Sequence, residues 1–271
     1  MTAMTEKYIH FHASRICYRV SGNGYPVILI HGFGEDGNVW EHQTTYLQDH
    51  FQLIIPDLPG IGKSEMTGDM SIEGMADVIA EIISTEKIKK LAIIGHSMGG
   101  YISLALAEKT PDLLSCFGLF HSSAFADSEE KKATRLKSME FIKTNGSYEF
   151  LKTMIPGLFY KGQDGSQPSD PYKNSLIEKG KAFSTHALVA YYQAMINRPD
   201  RIIILKNFSH PVLFVLGAHD NAVPFQQGLQ QCYLPQVAHV HILRNSAHMG
   251  MLEETERSNQ ILVQFLQSAT S

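Results

Sequence analysis

The sequence has a single tryptophan, Trp40, and only three cysteines, Cys17, Cys116 and Cys232, among 271 residues. The cysteines are odd in number, widely separated and outside any C-x-x-C spacing, so neither a disulfide framework nor a zinc site is indicated. All three read as structural. Long hydrophobic runs are missing too: no segment approaches the roughly 18 apolar residues that span a bilayer. The N-terminal stretch MTAMTEKYIHFHAS lacks the apolar core of about 7–15 residues that marks a signal peptide. A cytoplasmic protein without a membrane partner is the expectation. Neither sign of charge dominates, with 23 Lys+Arg against 27 Asp+Glu and a net charge of −4. No basic run forms a stripe along which a phosphate backbone could lie, so nucleic acid is not an expected partner. There is no dinucleotide fingerprint, no H-E-x-x-H motif, no internal repeat and no low-complexity tract. Neither an organic cofactor nor a metal is expected.

What is present is an ordinary globular composition, 44% hydrophobic and 18% charged. A chain of this size buries about 70–75% of its unfolded surface, enough for a sizeable core. Two short stretches, Tyr8–His12 and Ile16–Val20, read as a hairpin closed by Ser21-Gly22-Asn23-Gly24. The segments Val27–Ile30, Gln52–Pro56, Leu91–Ile94, Cys116–Phe120, Val212–Leu216 and His239–Leu243 are short apolar runs, as in strands buried on both faces of a parallel sheet. Helical periodicity lies between them, in Ser71–Thr85, Gly99–Glu108 and Thr255–Gln267. This alternation specifies a doubly wound α/β sheet. It breaks from Ser122 to Ile204, where the periodicity is helical and no strand is evident. The pattern predicts a helical cap, residues 122–204, inserted in a core of residues 1–121 and 205–271. Within the cap, Asp127-Ser128-Glu129-Glu130 opens one helix, Ser184 can cap another, and Gly162–Pro171 reads as a surface loop.

The most informative segment is Gly95-His96-Ser97-Met98-Gly99, a G-x-S-x-G pattern directly after an apolar strand and directly before a helix. The turn from strand to helix is so sharp that side chains two residues either side of the serine would collide, hence the glycines. Ser97 is the candidate nucleophile. The helix that follows places the backbone N–H of Met98 and a positive dipole end beside a developing oxyanion.

At this point the sequence resembles the α/β-hydrolase superfamily, in its cap-bearing serine esterase, lipase and C–C hydrolase branch. The motifs that carry the resemblance are His31-Gly32-Phe33-Gly34, Asp57-Leu58-Pro59-Gly60-Ile61-Gly62-Lys63-Ser64, the segment around Ser97, Gly217-Ala218-His219-Asp220 and Ser246-Ala247-His248. The resemblance implies an eight-stranded, mostly parallel twisted sheet flanked by helices. It implies that the backbone N–H of Phe33 is the second oxyanion donor. His31 reads as a hydrogen-bonded support beneath that loop, Trp40 as packing, and the segment from Asp57 as a fold marker. The family order Ser, acid, His puts the base last, and of thirteen histidines only His248 sits beyond the final strand. Asp220, in the loop after Val212–Leu216, matches the acid, with Asp127 as fallback. His96, His121 and His219 read as structural or pocket-lining groups.

The implied activity is that of a serine hydrolase acting on a small or medium carboxylic ester through an acyl-enzyme, with a small molecule as its partner. Cap residues Phe159, Tyr160, Tyr191 and Met195 are the candidates for substrate contact. One alternative is a C–C bond hydrolase with the same triad, which needs cations for a second carboxylate; Lys152, Lys161 and Arg198 could supply them. Another is a non-catalytic small-molecule sensor on the same fold.

Overall fold

The computed structural model describes residues 4–162 and 170–270. In chain order the elements are β1 (Thr5–Phe11), β2 (Ser14–Ser21), β3 (Tyr25–Ile30), α1 (Glu41–Leu47), β4 (Phe51–Pro56), α2 (Ile72–Thr85), β5 (Leu91–His96), α3 (Met98–Lys109) and β6 (Leu114–Phe120). They continue with α4 (Glu129–Asn145), α5 (Ser147–Met154), α6 (Asp170–Lys179), α7 (Thr185–Asn197), α8 (Ile202–Asn207), β7 (Val212–Gly217), α9 (Phe225–Gln231), β8 (Ala238–Leu243), α10 (Gly250–Glu253) and α11 (Thr255–Thr270). The eight strands form one sheet in the order β1-β2-β4-β3-β5-β6-β7-β8. β2 runs antiparallel to both β1 and β4, and every pairing from β4 to β8 is parallel. No helix among the described residues is long and apolar enough to cross a membrane.

Burial explains why the central strands read as continuous apolar runs. Every residue of β5 and of β7 is buried, because helices cover both faces of a parallel sheet. β8 is an edge strand and alternates, with Val240 and Ile242 exposed. The first hairpin turns more tightly than the sequence suggested, at His12-Ala13, so that Ser14 and Arg15 already pair with Phe11 and His10. Ser71 caps α2 by accepting a hydrogen bond from Gly74 N–H, and Ser128 caps α4 in the same way from Lys131 N–H. Ser184 precedes α7 without a side-chain cap.

Between β6 and β7 the described residues contain helices and no strand. Of the Gly162–Pro171 stretch, residues 163–169 lie outside the described residues, and Asp170-Pro171 begins α6 instead of ending a loop. The inserted segment is tied firmly to the sheet side. Tyr191 Oη donates to Pro59 O at 2.9 Å and His248 N–H to Leu158 O at 2.8 Å.

Candidate active site

The turn after β5 is strained where the chemistry requires it. Ser97 has φ +51°, ψ −114°, a left-handed conformation rarely adopted by a side-chain-bearing residue. The strain persists because the surroundings hold the turn: Ser97 N–H donates to Phe120 O at 2.9 Å, and Ser122 Oγ donates to Ser97 O at 2.7 Å. The flanking glycines are steric necessities. A Cβ on Gly95 would lie 2.3 Å from the Gly99 carbonyl, and one on Gly99 2.5 Å from Ile30 O.

Five groups converge at the C-terminal end of the sheet. Ser97 and His248 line one cavity of about 450 Å³, together with Phe33. His248 Nδ1 donates to Asp220 Oδ2 at 2.8 Å. The other carboxylate oxygen of Asp220 accepts from the N–H groups of Ala222 (2.8 Å) and Val223 (2.9 Å), so the acid cannot rotate away from the imidazole. Burial pushes the Asp220 carboxyl up, but the charge of His248 and the ring contacts of His121 and His248 outweigh it and hold the group well below the usual carboxylate range. The N–H groups of Phe33 and Met98 have no backbone acceptor among the described residues, as oxyanion donors require.

His121 lies on the other side of Asp220. Burial pushes its pKa down to about 4, so the ring is neutral near pH 7. Its Nε2 accepts from Gly250 N–H at 3.3 Å, which leaves the proton on Nδ1, 3.3 Å from Asp220 Oδ2 but poorly aligned with it. The ligand-type atoms of His121, Asp220 and His248 lie within 4.8 Å of one another. Asp220 already accepts a ring N–H from His248, an arrangement for orienting a base.

Sequence reasoning did not single out Glu35 or Glu253. Glu35 is buried, accepts Gly32 N–H at 2.9 Å and bonds His96 Nδ1 at 3.0 Å, while His96 Nε2 donates to the carbonyl of His248 at 2.9 Å. Burial works against the His96 charge, but Glu35 outweighs it and raises the pKa. The buried pair therefore links the Phe33 loop to the His248 loop. Glu253 Oε2 accepts from Ala247 and Met249 N–H, on either side of His248, at 3.0 and 3.1 Å. Its Oε1 accepts Tyr160 N–H at 2.6 Å. A lone acidic residue in a loop or short helix gives no local pattern by which either role could have been read. His31 supports the Phe33 loop as expected: Nδ1 donates to Gly32 O at 2.8 Å and Nε2 accepts Leu58 N–H at 3.0 Å. Trp40 is fully buried, edge-on to Phe120 at 5.5 Å. Asp57 is paired with Arg19 and accepts Gly37 N–H at 3.1 Å.

The cap candidates divide. Met195 lines the cavity with Ser97, as do Met154, Leu158 and Tyr192. Phe159 and Tyr160 instead line a separate depression beside His219, on which the Tyr160 ring stacks at 3.9 Å. Tyr191 is fully buried against Phe33, with its hydroxyl bound to Pro59. Core packing takes the same aromatic types as a substrate pocket, so residue type alone does not separate the two. Asp127, the fallback acid, pairs with Arg135 and Arg198 and has no contact with His248. Of the three cations named for a second carboxylate, Arg198 is buried in that pairing. Lys152 is exposed beside Glu149, and Lys161 lines the separate depression.

Known proteins similar to this chain include hydrolases of several kinds. A family model described as the alpha/beta hydrolase fold matches residues 25–140. A protein of Agrobacterium fabrum named as a carbamate hydrolase, RutD, is 27% identical over 260 residues, 92% of this chain and 95% of its own length. A 2-hydroxy-6-oxononadienedioate/2-hydroxy-6-oxononatrienedioate hydrolase of Paraburkholderia phymatum is 24% identical over 97% of this chain and 96% of its own. Among solved structures, a thermophilic esterase from Thermogutta terrifontis, determined with malate bound, superposes with a TM-score of 0.91 at 27% identity, covering 98% of this chain and 100% of that one. The eight-stranded, mostly parallel sheet flanked by helices has the α/β-hydrolase fold, which the chain shares with these proteins.

Proposed function

We propose that this hydrolase is a serine hydrolase acting on a small or medium carboxylic ester, with Ser97 as nucleophile, His248 as base and Asp220 as its orienting acid. The observation that carries this reading is the 2.8 Å bond to Asp220 from Nδ1 of His248, which lines the same cavity as Ser97. That bond puts the proton on Nδ1 and leaves Nε2 unprotonated, able to take the hydroxyl proton. Ser97 Oγ then attacks the carbonyl carbon while the N–H groups of Phe33 and Met98 receive the oxyanion. His248 returns the proton to the leaving alkoxide, and water repeats the sequence on the acyl-enzyme. In this reading residues 122–204 act as a cap on the core of 1–121 and 205–271, closing the cavity with Met154, Leu158, Tyr192 and Met195. Hydrolysis of a C–C bond by the same residues is the second reading, favoured by the nonadienedioate hydrolase relative.

The test is labelling with a fluorophosphonate, followed by assay of p-nitrophenyl esters of increasing chain length. Labelling should map to Ser97, and Ser97→Ala should lose about 10⁴-fold or more in turnover, since triad members act as a unit. Retention of more than about a tenth of wild-type kcat by a normally folded variant would remove Ser97 from the nucleophile's role, because the residual activity without a nucleophile is far smaller. Absence of labelling and of all turnover would leave a non-catalytic small-molecule sensor.

A further inference from the structure

One wall of the active-site cavity carries charge that acyl transfer itself does not use. Helix α4 lines it with Lys131, Thr134, Arg135 and Ser138, and helix α3 with Tyr101. Behind these lies the fully buried carboxylate of Asp127, bonded to Arg135 Nε at 2.6 Å and to Arg198 Nη2 at 3.0 Å, with Lys131 Nζ at 4.0 Å. Three cations surround one anion. Arg135 and Arg198 are largely buried, where charge is screened less than on a surface, while 31% of the Lys131 side chain is exposed at the cavity mouth.

The three cations are not equivalent. Arg198 is consumed by the scaffold: it donates to the carbonyls of Met195 and Phe125 and to Asp127, and its guanidinium lies 3.8 Å over the Tyr101 ring. Lys131 and Arg135 face the cavity. Lys131 Nζ donates to Ala222 O at 2.8 Å, which leaves two of its three protons for a ligand. Arg135 places Nε and Nη2 towards Asp127, and its Nη1 has no hydrogen-bond partner among the described residues. The one acidic side chain in the cavity lining, Glu130, is exposed to solvent.

Tyr101 stands in the same field. Its side chain is 3% exposed and lines the cavity. Burial pushes the phenol up, yet Arg198, Lys131 and Arg135 outweigh burial and hold it below its ordinary value. A phenol hydroxyl at the cavity surface in a positive field can donate to an anion.

We propose that Tyr101, Lys131 and Arg135 form a carboxylate-binding subsite, so that the preferred substrate is a hemi-ester of a short dicarboxylic acid, its ester carbonyl at Ser97 and its free carboxylate on this wall. The inference rests on the serine-hydrolase reading and narrows its substrate class. A carboxylate offers two oxygens to the remaining ammonium, guanidinium and phenol donors, and a cavity of about 450 Å³ suits a short chain.

The test compares monoethyl adipate with ethyl hexanoate, which has a methyl in place of the carboxylate, by proton release in a pH-stat. The hemi-ester should be preferred roughly tenfold or more in kcat/KM at low salt, the scale of a charge-assisted contact. That preference should shrink in high salt and in Lys131→Met and Tyr101→Phe; Arg135, which also holds Asp127, is left intact. Equal kcat/KM for the two esters, or a preference unchanged in both variants, overturns the subsite. A second arm does not need catalysis: calorimetry on Ser97→Ala protein should find monoethyl adipate bound more tightly than diethyl adipate, and less so once Lys131→Met is added. If neither ester is turned over and fluorophosphonate fails to label, the acyl-transfer reading falls, and the binding arm alone judges the subsite. Equal binding of the two adipates, or no binding, overturns it there.

Discussion

Asp220 and Asp127 are both buried carboxylates that follow strands of the sheet, yet their surroundings assign them different work. Asp220 accepts two backbone N–H bonds and the imidazole of His248. Asp127 meets two guanidinium groups. Asp220→Asn should lower kcat by about 10⁴-fold with little change in fold, because an amide in that place favours the wrong tautomer of the base. Asp127→Asn should act chiefly on stability, by up to about 3–5 kcal/mol, since it leaves two buried arginines without their anion. Kinetics on a neutral ester and urea unfolding of both variants check the contrast. Reversed sensitivities would move the acid to the loop after β6. The strained Ser97 and its glycines were legible from five letters of sequence, because a clash between residues 95 and 99 is local. The pairing of Glu35 with His96 joins residues 61 positions apart, and no local pattern records it.

The loop from β8 to α10 is the least regular element of the site and the most heavily tethered. His248 N–H is bonded to Leu158 O, and Glu253 holds the N–H groups of Ala247, Met249 and Tyr160. One carboxyl group thus connects the inserted segment to both sides of the proposed base. Burial pushes the Glu253 pKa up to about 7, against the pull of those three N–H donors, and the charge of Asp220 adds to the rise. In the unfolded chain the same group titrates near about 4.3. A folded-state pKa above the unfolded one gives a stabilising contribution that is complete at low pH and is lost as pH rises through about 7. The stability of wild type relative to Glu253→Gln should therefore fall between pH 5 and pH 8, as read from unfolding midpoints in urea. A difference that stays flat or grows with pH would show that the carboxyl is ionised throughout.

For the whole molecule, the segment between β6 and β7 packs on the sheet side through the site itself: Phe33 stacks on Tyr192 at 4.3 Å, and Phe33 and Met195 line the same cavity. If the segment sets substrate length, Met195→Ala and Leu158→Ala should shift the preference among p-nitrophenyl esters toward longer chains by enlarging the cavity. Tyr191→Phe should instead cost about 1 kcal/mol of stability through the lost bond to Pro59 O and leave the chain-length profile in place. Fluorophosphonate labelling in parallel separates the two effects. Loss of labelling in step with ester preference would mean that the segment supports the catalytic geometry rather than the choice of substrate.

The alternation of strands and helices and the nucleophile turn were legible in the sequence through short-range physics: apolar runs that suit strands covered on both faces, and a serine between glycines. The order of the three proposed catalytic residues came instead from the resemblance to the α/β-hydrolases. The tertiary structure alone decided which cap side chains meet the site. Phe159, Tyr160 and Tyr191 share their chemistry with cavity-lining residues, and the packing of helices in the inserted segment sends them to a separate depression or to the core. The roles of the cations near the cavity were likewise not legible in sequence. Arg198, named there as a candidate, is consumed behind the wall by Asp127 and backbone carbonyls, while Lys131 and Arg135 line the cavity.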